Sequence, residues 1–164
     1  MLGKEAANLD LELTSQPESV YTSSFASIKG LDAREQAEVI VYKLKNEPVV
    51  RVASLTSPVT IIAKELEIGL RNQGIQIDRD APVRIELELD RLVGTVSKPK
   101  RLYNAEEVSQ ITLNARYGKN SITKEYIRQS NEESALLPKS THLENMLNDQ
   151  LSDMVATILS DQDL

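Results

Sequence analysis

The chain of 164 residues lacks cysteine altogether and contains a single histidine, His142. Without cysteine it can form no disulfide, no thiolate metal site and no cysteine nucleophile. One histidine also excludes a metal centre built on several histidines. We therefore expect the stability of the fold to come from packing alone.

Long apolar runs are missing as well. No stretch approaches the roughly 18 residues that a membrane-spanning helix needs, and residues 1–10 lack the apolar core of a signal peptide. The chain as given is predicted to be soluble. A mature form that had lost a targeting segment would look the same.

Positive charge is outnumbered and scattered, with 19 Lys+Arg against 25 Asp+Glu and a net charge of -6. Because no basic stripe is present, nucleic acid is not an expected partner. The hydrophobic content of 40% is enough for one core of ordinary size. Residues 1–20 are polar and without periodicity, so we predict a flexible N-terminal tether followed by a single domain over residues 21–164.

The stretch of residues 83–93 determines the predicted fold class. Its odd-numbered residues from 83 to 89 are apolar and alternate with charged ones, which indicates a strand with one solvent-exposed face. Since a parallel strand covered on both faces would be apolar throughout, the pattern favours an antiparallel sheet. The predicted fold is α+β: an antiparallel β-sheet with two amphipathic helices, residues 57–73 and 141–159, packed on one face.

Start and stop signals support both helices. Ser57 and Pro58 are typical of an N-cap and a first helical residue, and Gly74 suits a left-handed C-cap. Thr141 and Glu144 fit the capping-box pattern at the second helix. Gly69 weakens the first helix by about 1 kcal/mol relative to alanine, and it marks either a close crossing over the sheet or an exposed, tolerated position.

Three further strand regions are predicted. Residues 21–28 form a weak strand that would bury Tyr21 and Phe25 before a turn at Gly30. Residues 38–44 and 49–52 form a hairpin. Residues 108–117 and 121–130 form a second hairpin through the turn at residues 118–120, and the irregular apolar pattern of the return strand indicates a bulge or an edge position.

No catalytic, metal or cofactor site emerges from the sequence. His142 lies in a solvated first helical turn, where a histidine without catalytic duty is the ordinary case. The acidic row Glu86, Glu88 and Asp90 is typical of the solvated face of a sheet, although it would be the place to look for a hydrolase. Asp149 and Asp153 stand one helical turn apart, which is too few ligands for calcium. We predict that the protein is not an enzyme.

The loop of residues 97–103 gathers basic side chains beside an aromatic ring. These are Lys98, Lys100 and Arg101, followed by Tyr103. The segment is either an ordinary soluble hairpin loop or a contact surface for anionic headgroups, a glycan or a protein partner.

With these elements placed, the chain resembles the YajG-like family of bacterial lipoproteins over residues 25–159. The resemblance rests on four features in this order: Gly30, Asp32 and Arg34 in a Gly-x-Asp-x-Arg turn, a helix that closes at Gly74, the stretch RIELELDRLVGTVS and the stretch LENMLNDQLSDMVATIL. None of these is a catalytic signature.

The resemblance implies a Gram-negative envelope protein that is made with a signal peptide and lipidated on a cysteine at its mature N-terminus. This sequence has no cysteine, so the lipidated end is expected to be replaced here by Met1 and its neighbours. The implied location is the periplasm, with an anchor in the outer membrane, and the implied partners are the membrane, through that anchor, and an envelope protein or glycan. No activity is carried over, and Asp32 and Arg34 join the basic loop as a predicted partner-contact surface.

Three functions follow as hypotheses. The first is a non-catalytic, lipid-tethered envelope domain that binds or scaffolds an envelope component. The second is a soluble protein-binding module that adds a partner strand at an unpaired sheet edge. The third, a hydrolase using the acidic row, would require a concave site around those carboxylates.

Overall fold

The computed structural model describes residues 24–161. The predicted tether over residues 1–20 and the predicted burial of Tyr21 lie outside the described residues. In this part of the chain, seven strands and two helices follow one another: β1 (Ser24–Asp32), β2 (Glu38–Lys43), β3 (Val50–Ala53), α1 (Pro58–Asn72), β4 (Ile75–Ile77), β5 (Val83–Ser97), β6 (Tyr103–Tyr117), β7 (Asn120–Ser134) and α2 (Ser140–Ser160).

The 15-residue strand β5 organises the sheet. One of its edges pairs antiparallel with β6 along its length, and β6 pairs antiparallel with β7. Its other edge is divided between two parallel neighbours, with β1 beside residues 83–89 and β2 beside residues 94–97. Strand β4 pairs parallel with β1, and β3 pairs antiparallel with β2.

The predicted antiparallel sheet is therefore wrong. The sheet is mixed and curls into a half-barrel, and strands account for 49% of the structure, so the protein is mostly β. The error has a physical reason, because alternation along β5 reports only that one face of the strand is buried. It carries no information on the direction of the strands on either side.

A bulge divides β5 between its two parallel neighbours. Leu87 and Leu89 are fully buried, the register with β6 shifts around Asp90, and burial continues on the even-numbered Leu92 and Val96. The additional residue bends the strand and changes which parity faces the core. The curl of the sheet thus coincides with the change of neighbour from β1 to β2.

The first strand differs from its prediction. Gly30 lies inside β1 rather than in a turn, and Phe25 is 45% exposed while its neighbour Ala26 is buried. A Cβ atom on Gly30 would stand 3.0 Å from Cγ2 of Val59 in α1. The glycine therefore lets α1 approach β1 closely at Val59.

The two helices pack against the sheet and against each other. Gly69 of α1 is buried in this helix contact, because a Cβ atom there would lie 2.3 Å from Cδ1 and 2.8 Å from Cδ2 of Leu159 in α2. The expected alternatives for Gly69, a crossing over the sheet or an exposed position, are both wrong. Within residues 24–161, neither helix is long and apolar enough to cross a membrane.

The helix ends agree with the sequence in part. Ser57 is the N-cap of α1, Pro58 is its first residue and Gly74 has the left-handed φ of 93°, as predicted, but the Ser57 side chain makes no capping hydrogen bond. The predicted capping box at α2 is wrong. That helix begins one residue earlier, at Ser140, with Lys139 as an N-cap that uses no side-chain hydrogen bond.

Both predicted hairpins are confirmed. Strands β2 and β3 form the first, and β6 and β7 form the second through a two-residue loop in which only Gly118 has a positive φ, of 59°. A positive φ at the first loop position is the type II′ arrangement. Among the described strands β7 pairs with β6 alone and without a register shift, so it lies at an edge and has no bulge.

We expect Gly69→Ala to destabilise the protein by about 1–3 kcal/mol, because the added methyl group overpacks the contact with Leu159. Helix propensity alone predicts the opposite, a gain of about 1 kcal/mol. Urea unfolding measures the sign. The same substitution in a Leu159→Ala background should cost much less, and an equal cost in both backgrounds would contradict the proposed steric origin.

Candidate functional site

An apolar pocket of about 290 Å³ opens at the end of the sheet where β5 begins and β6 ends. Side chains of both helices and of strands β1, β4, β5, β6 and β7 form its walls, and most of them are apolar. The lining residues are Phe25, Ala26, Leu66, Leu70, Gln73, Ile75, Val83, Ile85, Leu113, Ala115, Arg116, Tyr117, Asn120, Ser121, Ile122, Ile158 and Leu159.

The pocket exists because the two helices meet at their C-terminal ends. Gly69 allows α2 to approach α1 closely, and the buried Gln73 donates a hydrogen bond of 2.8 Å from Nε2 to the backbone carbonyl of Leu159. The left-handed Gly74 then turns the chain into β4, which contributes Ile75 to the wall. These contacts fix one end of the pocket, while the β6–β7 hairpin borders the other.

Exposed apolar side chains surround the mouth of the pocket. Phe25, Tyr117 and Ile122 are 45%, 60% and 43% exposed. They come from β1, β6 and β7, which converge at this end of the sheet. Because the exposure of apolar side chains to water is unfavourable, the mouth is a surface suited to apolar contact.

A second, polar cluster lies between the sheet and α2 at the other end of β6. Glu107 is fully buried and accepts a hydrogen bond of 2.8 Å from Ser130. Gln150 of α2 donates to Ser130 at 3.0 Å and accepts from Ser109 at 2.6 Å. Burial raises the pKa of Glu107, and the nearby carboxylate of Glu132 adds to this shift. Its other carboxylate oxygen, Oε1, is buried without a hydrogen-bond partner among the described residues.

Ionic contacts join the remaining length of β7 to α2. Lys124 pairs with the Asp161 carboxylate at 2.7 Å, and Arg128 pairs with Asp153 at 2.6 Å. Tyr126 donates to Asp161 at 2.8 Å, and burial together with that carboxylate raises the Tyr126 pKa well above its usual range. Asp153, considered above as a weak cation ligand, is thus engaged with an arginine.

The predicted contact surface divides into two separate places. In the β5–β6 loop, Lys98 stands 4.7 Å from the ring centre of Tyr103, a cation–π contact. Asp32 and Arg34 form their own ion pair of 2.8 Å at the end of β1, where Asp32 lies beside Leu89, and the hydrogen bond from Arg34 lowers the Asp32 pKa. Binding of a partner by either group, and by Lys100 and Arg101, stays a prediction.

The residues weighed for catalysis are dispersed. His142 is exposed, and its Nε2 lies 2.9 Å from the Glu132 carboxylate. In the acidic row, Asp90 accepts a hydrogen bond of 2.6 Å from Thr112, and Glu86 lies in a cleft on the face of the sheet opposite α1 and α2. No group of three or more potential metal ligands occurs within residues 24–161.

Sequence reasoning missed the apolar pocket. The local signal was weak, because Ala115, Tyr117 and Ile122 look like ordinary residues of a hairpin. The predicted burial of Phe25 hid one rim residue, and the parallel contact between β1 and β5, which brings Phe25 to this end, has no local signature.

Comparisons with known proteins agree with this architecture. A model of a family described as uncharacterized lipoproteins matches residues 12–164. Among solved structures, a DUF330 protein from Xanthomonas campestris matches with a TM-score of 0.64 and 8% identity over 94% of this chain and 92% of its own. A further uncharacterized protein matches with a TM-score of 0.54 and 8% identity over 94% and 97%. At this identity the likeness concerns the fold alone, and no curated protein matches at a significant level.

We expect Glu107→Gln to stabilise the protein at neutral pH, by on the order of 1 kcal/mol, because a neutral amide replaces a buried carboxylate. A raised pKa means that the native state favours the protonated acid. The contribution of Glu107 is therefore fully present below its unfolded pKa and is lost as the pH rises through the folded value. Chemical unfolding of both proteins from pH 4 to pH 8 checks this, and a difference independent of pH would contradict it.

Proposed function

Because this chain belongs to a family of uncharacterized lipoproteins, the YajG-like family, we propose that it is a non-catalytic envelope domain that binds one apolar chain of a lipid. The apolar chain would occupy the pocket between α1, α2 and the sheet. We further propose that a lipid anchor holds the domain to the outer membrane on its periplasmic side. This function makes the bound envelope component a lipid rather than a protein.

The apolar character of the pocket is the observation that carries this proposal. A dry apolar cavity of about 150 Å³ in a protein core is enough to hold benzene. The pocket here encloses about 290 Å³ and opens to solvent, so a flexible hydrocarbon chain can enter from one end. Each methylene group that it buries would contribute about 0.8 kcal/mol.

The polar groups of the pocket support an apolar occupant. Nε2 of Gln73 donates to Leu159, within the protein, and Arg116, Asn120 and Ser121 lie in the hairpin at the rim. A ligand would thus bury hydrocarbon inside and leave its polar end at the mouth. The exposed rings of Phe25 and Tyr117 would contact the first methylene groups there.

We expect Ala115→Phe to weaken the binding of a fluorescently labelled long-chain fatty acid at least about tenfold, because the ring would fill the pocket. A fluorescence titration measures the affinity. Ala135→Phe is the matched control, since Ala135 is exposed in the segment between β7 and α2 and does not line the pocket. Equal affinities of the wild type and Ala115→Phe, with both proteins folded by thermal unfolding, would refute the proposal.

A second candidate function is the addition of a partner strand at β7. This strand is 15 residues long and is bonded on one side only among the described strands. The residues that flank a two-residue hairpin loop form a hydrogen-bonded pair, here Tyr117 and Asn120. Even-numbered residues of β7 therefore bond to β6, and odd-numbered ones, such as Ile127 and Gln129, direct their backbone groups to the free edge.

For this function we expect Gln129→Pro to abolish binding of an extended peptide, because proline removes an outward amide without breaking the β6 ladder. Perturbation of β7 amide signals in NMR spectra, titrated with peptides from an envelope-protein digest, would identify a binder. Gln129→Glu is the control that keeps the backbone amide. Binding that survives the proline would dismiss strand addition at β7.

A further inference from the structure

A cleft of about 590 Å³ lies on the opposite face of the same end of the sheet and shares Ile85 and Arg116 with the lining of the apolar pocket. Arg84 of β5 and Arg116 of β6 stand directly opposite each other in the strand register. Their neighbours Ile85 and Ala115 line the apolar pocket, so alternation along the strands directs the two arginines to the other face, and Arg116, at the end of β6, also borders the pocket.

This pairing of like charges is unfavourable in the unliganded protein. Two cations placed opposite each other on adjacent strands destabilise a sheet. Carboxylates are abundant in a chain of net charge -6, yet within residues 24–161 neither Arg84 nor Arg116 forms an ion pair or a side-chain hydrogen bond. An anion bound between them would remove the repulsion.

The other polar groups of the cleft are also suited to binding an anion. Lys29 of β1 and Arg79 of the turn after β4 add two cations, and Ser27 and Asn114 add a hydroxyl and an amide. Among the described residues, Glu86 is the one carboxylate that lines the cleft, and in the strand register it lies beside Lys29. Four cations thus face a single carboxylate in a protein that is acidic as a whole.

We propose that this cleft binds a phosphate group, held between Arg84 and Arg116. Two guanidinium groups present planar pairs of donors that match the oxygens of phosphate. The phosphate could belong to a phospholipid headgroup or be inorganic phosphate. The site lies on another face of the sheet than the apolar pocket and shares Arg116 with it, but its existence does not depend on the proposed binding of an apolar chain.

The test uses the whole chain with the double variant Arg84→Gln/Arg116→Gln. The matched control is Lys43→Gln/Lys45→Gln, which removes the same charge from exposed positions at the end of β2, where Lys43 lies beside Ser97 at the far end of β5 from Arg84. One arm measures the melting temperature in inorganic phosphate against chloride at equal ionic strength. The other measures co-sedimentation with vesicles of neutral phosphatidylcholine, with or without anionic phosphatidylglycerol.

We expect phosphate to raise the melting temperature of the wild type and the control but not of the double variant, whose affinity should fall at least about tenfold. Binding only to anionic vesicles would identify the source as a lipid headgroup, and a response only to inorganic phosphate would identify the free ion. Equal losses in the control would show a general effect of charge and overturn the site. So would undiminished binding by the double variant, or no response of the wild type to either probe.

The result is separable from the proposed function. The labelled fatty acid should bind the single variant Arg84→Gln as it binds the wild type, because Arg84 does not line the apolar pocket, whereas Arg116 borders both the pocket and the cleft. Binding of the fatty acid without a response to phosphate would refute only the phosphate site. A response to phosphate without binding of the fatty acid would refute only the proposed function of the apolar pocket.

Discussion

The fold depends on one strand that serves three neighbours. β5 gives one edge to β6 and divides the other between β1 and β2, both parallel to it. The bulge at Asp90 lies between the two parallel stretches and bends the strand there. Through this division β1 and β2 share one neighbouring strand, and the bend in β5 coincides with the change from one to the other.

The apolar pocket is a consequence of that arrangement. β1 and β5 begin at the same end of the sheet, where β6 ends, and the C-terminal ends of both helices cover this end from one side. Gly69 and Gln73 join the helices, the first by leaving room for Leu159 and the second by bonding to its carbonyl. The pocket is thus enclosed by contacts between elements that are far apart in the chain.

Elements with local signals were predictable from the sequence. Pro58 and Gly74 marked the ends of the first helix, and Gly118 marked the second hairpin. Each of these residues favours a backbone conformation that depends only on its neighbours in the sequence. The lipoprotein family was also recognisable from short stretches in order. The parallel neighbours of β5 were not predictable, since they pair residues that are distant in the sequence and leave no pattern in either strand.

The sequence by itself determined which segments form hairpins and helices, the solvated face of β5 and the absence of cysteine chemistry. Only the tertiary structure decided the direction of the neighbouring strands, the exposure of Phe25, the close packing at Gly69 and the position of Arg84 opposite Arg116. The physical reason is range. Turn and cap preferences act within a few residues, whereas a pocket or a charge pair arises from the packing of side chains that the chain brings together only on folding.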